Sequence, residues 1–124
     1  MFELIRNLLR SIRCALHGLS LAFRSQRNVR IHFLAAAVVL AAAVYLHFSR
    51  QEMVLLILTI GLVLAGELFN TALEVALNLL ESRHHPAVRH SKDIAAGAVV
   101  VTVFGSLAVA VLLFGPHIRP FLGK

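Results

Sequence analysis

Three glutamates and two asparagines recur at helical spacing in a stretch that is otherwise largely apolar. Glu67, Asn70, Glu74, Asn78 and Glu81 are separated by 3, 4, 4 and 3 residues, which places them on one face of an α-helix. We call these five residues the acidic stripe. Ionised carboxylates in a membrane segment must meet water, cations or polar partners, and stacked carboxylates offer the hard oxygen ligands that Mg²⁺ prefers. The stripe therefore predicts a functional site, with a polar seam between the helices of an oligomer as the alternative.

A lysine and an aspartate, Lys92 and Asp93, stand just before the next apolar segment. A lysine at the same level as the stripe could offset the charge of nucleotide phosphates, and carboxylates, Mg²⁺ and lysine are the usual components of phosphoryl transfer. The sequence contains no Walker A loop, no G-x-G-x-x-G stretch and no kinase catalytic-loop motif. Any nucleotide site in this chain must therefore be built in another way.

The composition indicates a membrane protein. Of the 124 residues, 59% are hydrophobic, and they come in long blocks; a bilayer requires such blocks and a water-soluble core does not. The 12 Lys and Arg side chains outnumber the 6 Asp and Glu, which could suggest nucleic acid. Basic residues beside apolar spans more often mark the cytoplasmic side of a membrane protein, so we expect no nucleic-acid partner.

The elements that must position these residues follow from hydropathy. Residues 2–24 have one apolar and one basic face, as in a helix lying in the membrane surface; an ordinary soluble amphipathic helix is the alternative. Transmembrane helices are predicted over 31–49, 53–80 and 93–114. A hinge at 25–30 precedes the first, a turn at 49–52 joins the first to the second, and a loop at 81–91, in which Pro86 helps break any helix, joins the second to the third. Residues 115–124 are a short tail. We predict one all-α membrane domain over 1–124.

Basic residues indicate the orientation of the spans. Nine lie in the N-terminal helix and hinge or between the second and third spans, against three on the opposite side, so the N-terminus and the 81–91 loop are expected in the cytoplasm. The nine are Arg6, Arg10, Arg13, Arg24, Arg27, Arg30, Arg83, Arg89 and Lys92; the three are Arg50, Arg119 and Lys124. A small channel is disfavoured because the stripe occupies only the cytoplasmic half of the second span.

Five short motifs follow one another between residues 18 and 99. They are G-L-x-x-A-F at 18–23, R-N-V-R-I-H at 27–32, E-x-x-N-T-A-x-E at 67–74, H-P-x-x-x-x-x-K-D at 85–93 and A-A-G-A-V at 95–99. Together they resemble the bacterial diacylglycerol kinase and undecaprenol kinase family. The form of the H-P-x-x-x-x-x-K-D motif looks more like the undecaprenol kinase branch.

The resemblance implies a small integral membrane lipid kinase of the bacterial inner (cytoplasmic) membrane, assembled as a homotrimer. Such an enzyme would use MgATP to phosphorylate a membrane lipid hydroxyl, with undecaprenol favoured over diacylglycerol. It implies that Glu67 is the general base, that Asn70 lines the same site and that Glu74 is a Mg²⁺ ligand. It further implies that Lys92 contacts phosphate and that Asp93 is its acidic neighbour in the nucleotide site.

Two positions depart from the family pattern, which commonly has Glu where this chain has Gln26 and Asp where it has Asn78. Compared with the family's Glu and Asp, Gln26 and Asn78 each keep a side-chain oxygen and lose a negative charge. The oxygen of Gln26 could still bind the metal ion. Arg10 could reach nucleotide phosphates or lipid headgroups, and His85 matches a family position near the nucleotide. A zinc site at His84, His85 and His90 is disfavoured because the spacing is not a ligand pattern. A relative that binds nucleotide or lipid without transferring phosphate is the alternative function.

Overall fold

The computed structural model describes residues 1–80 and 85–123, and in that part of the chain the protein forms four α-helices. They are α1 (Phe2–Ser25), α2 (Arg27–Tyr45), α3 (Arg50–Leu80) and α4 (Pro86–Leu122). Helices α2, α3 and α4 are long and apolar enough to cross a membrane. The predicted all-α fold class, with an amphipathic N-terminal helix followed by three apolar helices, is confirmed.

A sharp bend separates α1 from α2. Gln26 has extended backbone angles (φ −111°, ψ 121°), and its N–H closes α1 by donating to the Ala22 carbonyl at 2.9 Å. The Phe23 and Phe33 rings meet edge to face across the bend, with centroids 5.6 Å apart. Because of this extended residue, α1 and α2 do not form one continuous helix, and the two aromatic rings keep them in contact. A surface helix that precedes a membrane span requires such a break.

Helix α3 begins with a reciprocal cap. The Ser49 N–H donates to Glu52 Oε2 at 2.7 Å, and the Glu52 N–H donates to Ser49 Oγ at 3.3 Å, so each side chain satisfies a backbone donor of the first turn. The predicted turn over 49–52 is thus mostly the first turn of α3. The helix starts at Arg50 rather than at Met53.

Helix α4 is longer at both ends than the sequence predicts. The predicted loop over 81–91 is wrong for residues 86–91. Pro86 does not break a helix there but is the first residue of α4, where its missing N–H costs no helical bond. The His85 side chain caps this end by accepting from the Ala87 N–H at 3.2 Å. Residues 81–84 lie outside the described part of the chain. At the other end α4 continues through Pro116 and Pro120 to Leu122, where a tail was predicted.

The buried core lies where α2 and α4 end and α3 begins. Ala43, Leu56 and Leu113 are its buried members, and Phe48 and Phe114 pack against them. Most other large apolar side chains of the three long helices point outward, as expected for surfaces that meet lipid or another chain. The core thus lies at the end of the bundle opposite the acidic stripe.

Candidate active site

The acidic stripe runs from the buried interior of the bundle to its surface. Because α3 is continuous from Arg50 to Leu80, Glu67, Asn70, Glu74 and Asn78 share one of its faces. Glu67 is buried, with 3% exposure, whereas Glu74 and Asn78 are exposed. Glu81 lies outside the described residues. The first glutamate is therefore shielded from water and the second is open to a solvated ligand.

A pocket forms where this face meets the start of α4. It has a volume of about 190 Å³ and is lined by Asn70 and Glu74 from α3 and by Lys92, Asp93, Ala95 and Ala96 from α4. We call it the α3–α4 pocket. Four of its six lining residues are site residues predicted from the sequence, and the antiparallel packing of α3 and α4 brings them together. Ala95 and Ala96 have small side chains, so the α4 wall of the pocket leaves room next to Glu74.

Lys92 is the cation among the lining residues of the α3–α4 pocket. Its half-buried side chain reaches back to α3, and Nζ donates a hydrogen bond to Asn78 Oδ1 at 2.5 Å. Asp93 lies 4.0 Å from Arg89 Nε one turn earlier on α4, with both side chains mostly exposed. The pocket therefore combines one carboxylate on α3 with an ammonium group and a second, partly compensated carboxylate on α4.

Buried Glu67 has a neighbour that the sequence analysis left without a role. His32 Nε2, on α2, lies 3.9 Å from Glu67 Oε2, and the two side chains are 23% and 4% exposed. His32 is the last residue of the R-N-V-R-I-H motif, and its place in that motif is the sequence feature that could have marked it as a site residue. Helix α2 therefore contributes to the surroundings of the candidate base, although α2 carries none of the acidic stripe.

His32 also borders an apolar pocket between α2, α3 and α4. This pocket has a volume of about 260 Å³, and its walls include Ala36 and Val39 from α2, Leu56 and Val63 from α3 and Leu107 from α4. One imidazole thus stands between the buried carboxylate and an apolar space inside the bundle. A molecule with a polar end and an apolar body could place its polar end near Glu67 and His32 and its apolar body in this pocket.

Three other predicted site residues lie outside the α3–α4 pocket. Gln26 is half-buried at the bend between α1 and α2, Arg10 is exposed on α1, and His85 caps α4. None of them is among the lining residues. Their assignment to the nucleotide or the metal stays a prediction.

The oxygen donors of the α3–α4 pocket fit Mg²⁺ bound together with phosphate. Within residues 1–80 and 85–123, no three His, Cys, Asp or Glu side chains gather as a metal-binding group. A closed protein cage is therefore absent from this part of the chain. Mg²⁺ in phosphoryl-transfer sites is usually held by one or two carboxylates with waters and substrate phosphates, and Glu74, Asp93 and the Asn70 amide oxygen supply such a partial set.

Together these features define a small helical membrane protein with a polar, phosphate-compatible pocket beside a buried carboxylate. Residues 13–114 match the family described as prokaryotic diacylglycerol kinase, and the chain belongs to this family of prokaryotic lipid kinases. The resemblance of the five motifs to this family is thereby confirmed.

Curated relatives bear two different substrate names. The chain is 39% identical over 116 residues to a diacylglycerol kinase of Synechocystis sp., covering 93% of this chain and 66% of that protein, just under two thirds. It is 37% identical over 95 residues to an undecaprenol kinase of Bacillus subtilis, covering 77% of each. It is 30% identical over 111 residues to a diacylglycerol kinase of Pseudomonas aeruginosa, covering 88% of this chain and 90% of that protein.

Proposed function

We propose that this protein transfers the γ-phosphoryl group of MgATP to the hydroxyl group of a membrane lipid. The observation that carries the proposal is the α3–α4 pocket, which Glu74 and Lys92 both line, with Glu74 two helical turns from buried Glu67 on α3. The names of the relatives, all lipid kinases, support the same activity. Nucleotide and lipid would meet between the exposed and the buried parts of the acidic stripe.

Glu67 is the proposed general base. The lipid hydroxyl would lose its proton to the Glu67 carboxylate as its oxygen attacks the γ-phosphorus, and the bond from that phosphorus to the β–γ bridging oxygen would break, releasing ADP. A general base must lie within hydrogen-bond reach of the hydroxyl group that it deprotonates. Glu67 would meet this requirement if the lipid hydroxyl entered the buried part of the stripe, where Glu67 is shielded from water. Lys92 would stabilise the charge on the transferred phosphoryl group. Asn70 lies between Glu67 and Glu74 along the stripe.

Glu74 is the proposed principal ligand of Mg²⁺, with Asp93 and the Asn70 amide as further oxygen donors and Gln26 as a weaker candidate. The ion would supply neutralisation of phosphate charge. Glu74 suits this role because it is exposed and faces Lys92 across the pocket. Arg10 and His85 are proposed to assist at the phosphates from outside the pocket.

Undecaprenol is the proposed lipid, with diacylglycerol second. The form of the motif from His85 to Asp93 favours undecaprenol, and the Bacillus subtilis relative bears that name. Both lipids present one hydroxyl on an apolar body, and the apolar pocket beside His32 offers space for part of such a body. Relatives named for diacylglycerol make the comparison of the two lipids the decisive measurement of specificity.

The proposed setting is the bacterial cytoplasmic membrane, with the N-terminus and the 81–91 loop on the cytoplasmic side. The excess of Lys and Arg residues on that side supports this orientation. The same orientation would place the α3–α4 pocket on the cytoplasmic side, where ATP is available. A homotrimer is proposed because the described lining residues of this pocket come from two helices of one chain, α3 and α4. A neighbouring chain could close its open side.

The test is transfer of label from radiolabelled ATP to undecaprenol and to diacylglycerol in detergent micelles. Glu67→Gln and Glu74→Gln should each lower turnover at least a hundredfold, the usual scale for a general base or a metal ligand. Glu3→Gln is the matched control, because Glu3 lies on α1, where it makes an exposed pair with Arg6. Unchanged turnover in both site variants would remove the assignment.

The second candidate function is a relative that binds nucleotide without transferring phosphate. Gln26 and Asn78, which each lack a charge present in the family pattern, are the features that favour it. Magnesium-dependent binding of ATP with no labelled lipid, under conditions that keep the protein folded, would decide for this function.

A further inference from the structure

Among the described residues, a hydrogen bond from Lys92 joins Asn78 to the α3–α4 pocket. Asn78 lies one helical turn beyond Glu74 on the acidic stripe and is not among the lining residues. Its Oδ1 accepts the 2.5 Å hydrogen bond from Lys92 Nζ, which ties the end of α3 to the start of α4. The contact spans 14 residues of sequence, so it fixes where the ammonium group lies relative to Glu74.

The chemistry of the acceptor determines how much charge Lys92 retains. An amide oxygen accepts a hydrogen bond from an ammonium group and adds no charge, whereas a carboxylate at the same place would form an ion pair. Lys92 is the one Lys or Arg among the described lining residues, which also include the carboxylates of Glu74 and Asp93. A third carboxylate would compete with a polyphosphate for the same ammonium group.

We propose that Asn78 is a positioning residue that holds Lys92 toward the pocket without neutralising it, and so sets the affinity for the polyphosphate of the nucleotide. The inference rests on the proposed function only for the identity of that ligand. It gives the departure at Asn78 a new meaning: the amide in place of the family's Asp raises the net charge available to phosphate, instead of only weakening a metal site.

The first measurement is binding of a non-hydrolysable ATP analogue with Mg²⁺, alongside kcat and KM for MgATP. Asn78→Asp should keep Lys92 in place but pair with it, and Asn78→Ala should release it. Both should weaken binding and raise KM roughly threefold to tenfold, up to about one 1.4 kcal/mol step in affinity, with kcat within about twofold. Asn7→Asp, the same chemical change at an exposed position of α1, should leave both constants unchanged.

A double-mutant cycle separates positioning from a general structural effect. In the Lys92→Met background, Asn78→Ala should cause no further loss of nucleotide affinity, because the group that it acts through is gone. Asn78→Asp should cause a smaller loss than in the wild-type background, because only its direct repulsion of the polyphosphate remains. Circular dichroism melting establishes that each variant is folded before its affinity is compared. Equal affinity of the wild type and both Asn78 variants, or losses that persist undiminished without Lys92, would overturn the inference.

The result also separates this inference from the proposed function. Coupling between Asn78 and Lys92 in analogue binding supports the inference even if no lipid is phosphorylated, in which case the proposed function falls alone. Normal phosphorylation of lipid with no such coupling leaves the proposed function standing and overturns the inference.

Discussion

His32 Nε2 on α2 lies 3.9 Å from Glu67 Oε2 on α3, and both side chains are largely withdrawn from solvent. A carboxylate that is buried to this extent needs a polar or charged neighbour, because an isolated charge in a low-dielectric interior is costly. His32 also borders the apolar pocket. The relationship therefore joins the proposed base to the proposed lipid site through one side chain.

Removing His32 should slow phosphorylation of the lipid more than it affects nucleotide binding. We expect His32→Leu to lower kcat about tenfold, or about 1.4 kcal/mol in the barrier, because buried Glu67 loses the polar neighbour that lies 3.9 Å from it. His32→Gln, which retains a donor, should recover part of this loss. The transfer assay with varied lipid and fixed MgATP measures both variants.

The matched control for His32 is His17→Gln on α1, where the imidazole is exposed. That variant should keep wild-type kcat. If His32→Leu behaves like it, the contact with Glu67 has no part in the reaction.

Close packing of α3 against α4 next to Glu67 should make Gly66 sensitive to side-chain size. A Cβ at Gly66 would lie 3.4 Å from Thr102 Oγ1 and 3.6 Å from Thr102 Cγ2, which is ordinary contact. Gly66→Ala should therefore be tolerated, whereas Gly66→Leu should force the helices apart and cost about 1–3 kcal/mol. It should also reduce transfer activity, since the α3–α4 pocket depends on the same helix pair.

Gly61 offers the control for this prediction. Nothing lies within 4 Å of a Cβ built there, so Gly61→Leu should melt close to the wild type when followed by circular dichroism in detergent. A loss of stability at Gly61 equal to that at Gly66 would show that the cost comes from the change in residue type and not from the packing of α3 on α4.

The opposite end of the bundle has a polar contact that should support stability without affecting the reaction. Glu52 caps α3 through Ser49 and also lies 3.0 Å from His117 Nε2, whose ring stacks on Phe48 with centroids 4.6 Å apart. Glu52→Gln should lower the melting temperature by a few degrees, because it weakens the cap and the link to α4 together. The KM for MgATP should not change; a raised KM would show that this end communicates with the nucleotide.

Helical spacing made part of this architecture predictable from the sequence. It places Glu67, Asn70 and Glu74 on one face, and hydropathy predicts the three long helices. Spacing within one helix does not determine which neighbour that face meets, so the approach of His32 to Glu67 depends on how α2 packs against α3. The pairing of Asn78 with Lys92 likewise depends on the crossing of α3 and α4.

Pro86 shows a different limit of sequence analysis. Proline lacks an N–H donor, so it disrupts the interior of a helix but is well tolerated in the first turn. The neighbouring residues do not show whether Pro86 ends one helix or begins the next. The His85 cap on Ala87, visible only in the structure, decides that Pro86 begins α4. The predicted loop was therefore too long, and Lys92 lies on the second turn of a helix instead of at its start.

Glu74 should control the requirement for divalent cations. Because its exposed carboxylate is the proposed main oxygen ligand, Glu74→Asp, which shortens the side chain by one methylene and keeps the charge, should raise the Mg²⁺ concentration for half-maximal transfer roughly tenfold, on the scale of one weakened ligand. Removal of divalent cations with a chelator should abolish transfer in the wild type, and added Mg²⁺ should restore it. Glu3→Asp on α1 is the control and should titrate like the wild type. Full turnover without divalent cations would exclude the proposed role of Glu74, whereas an unchanged Mg²⁺ titration in Glu74→Asp would move the ligand to Asp93.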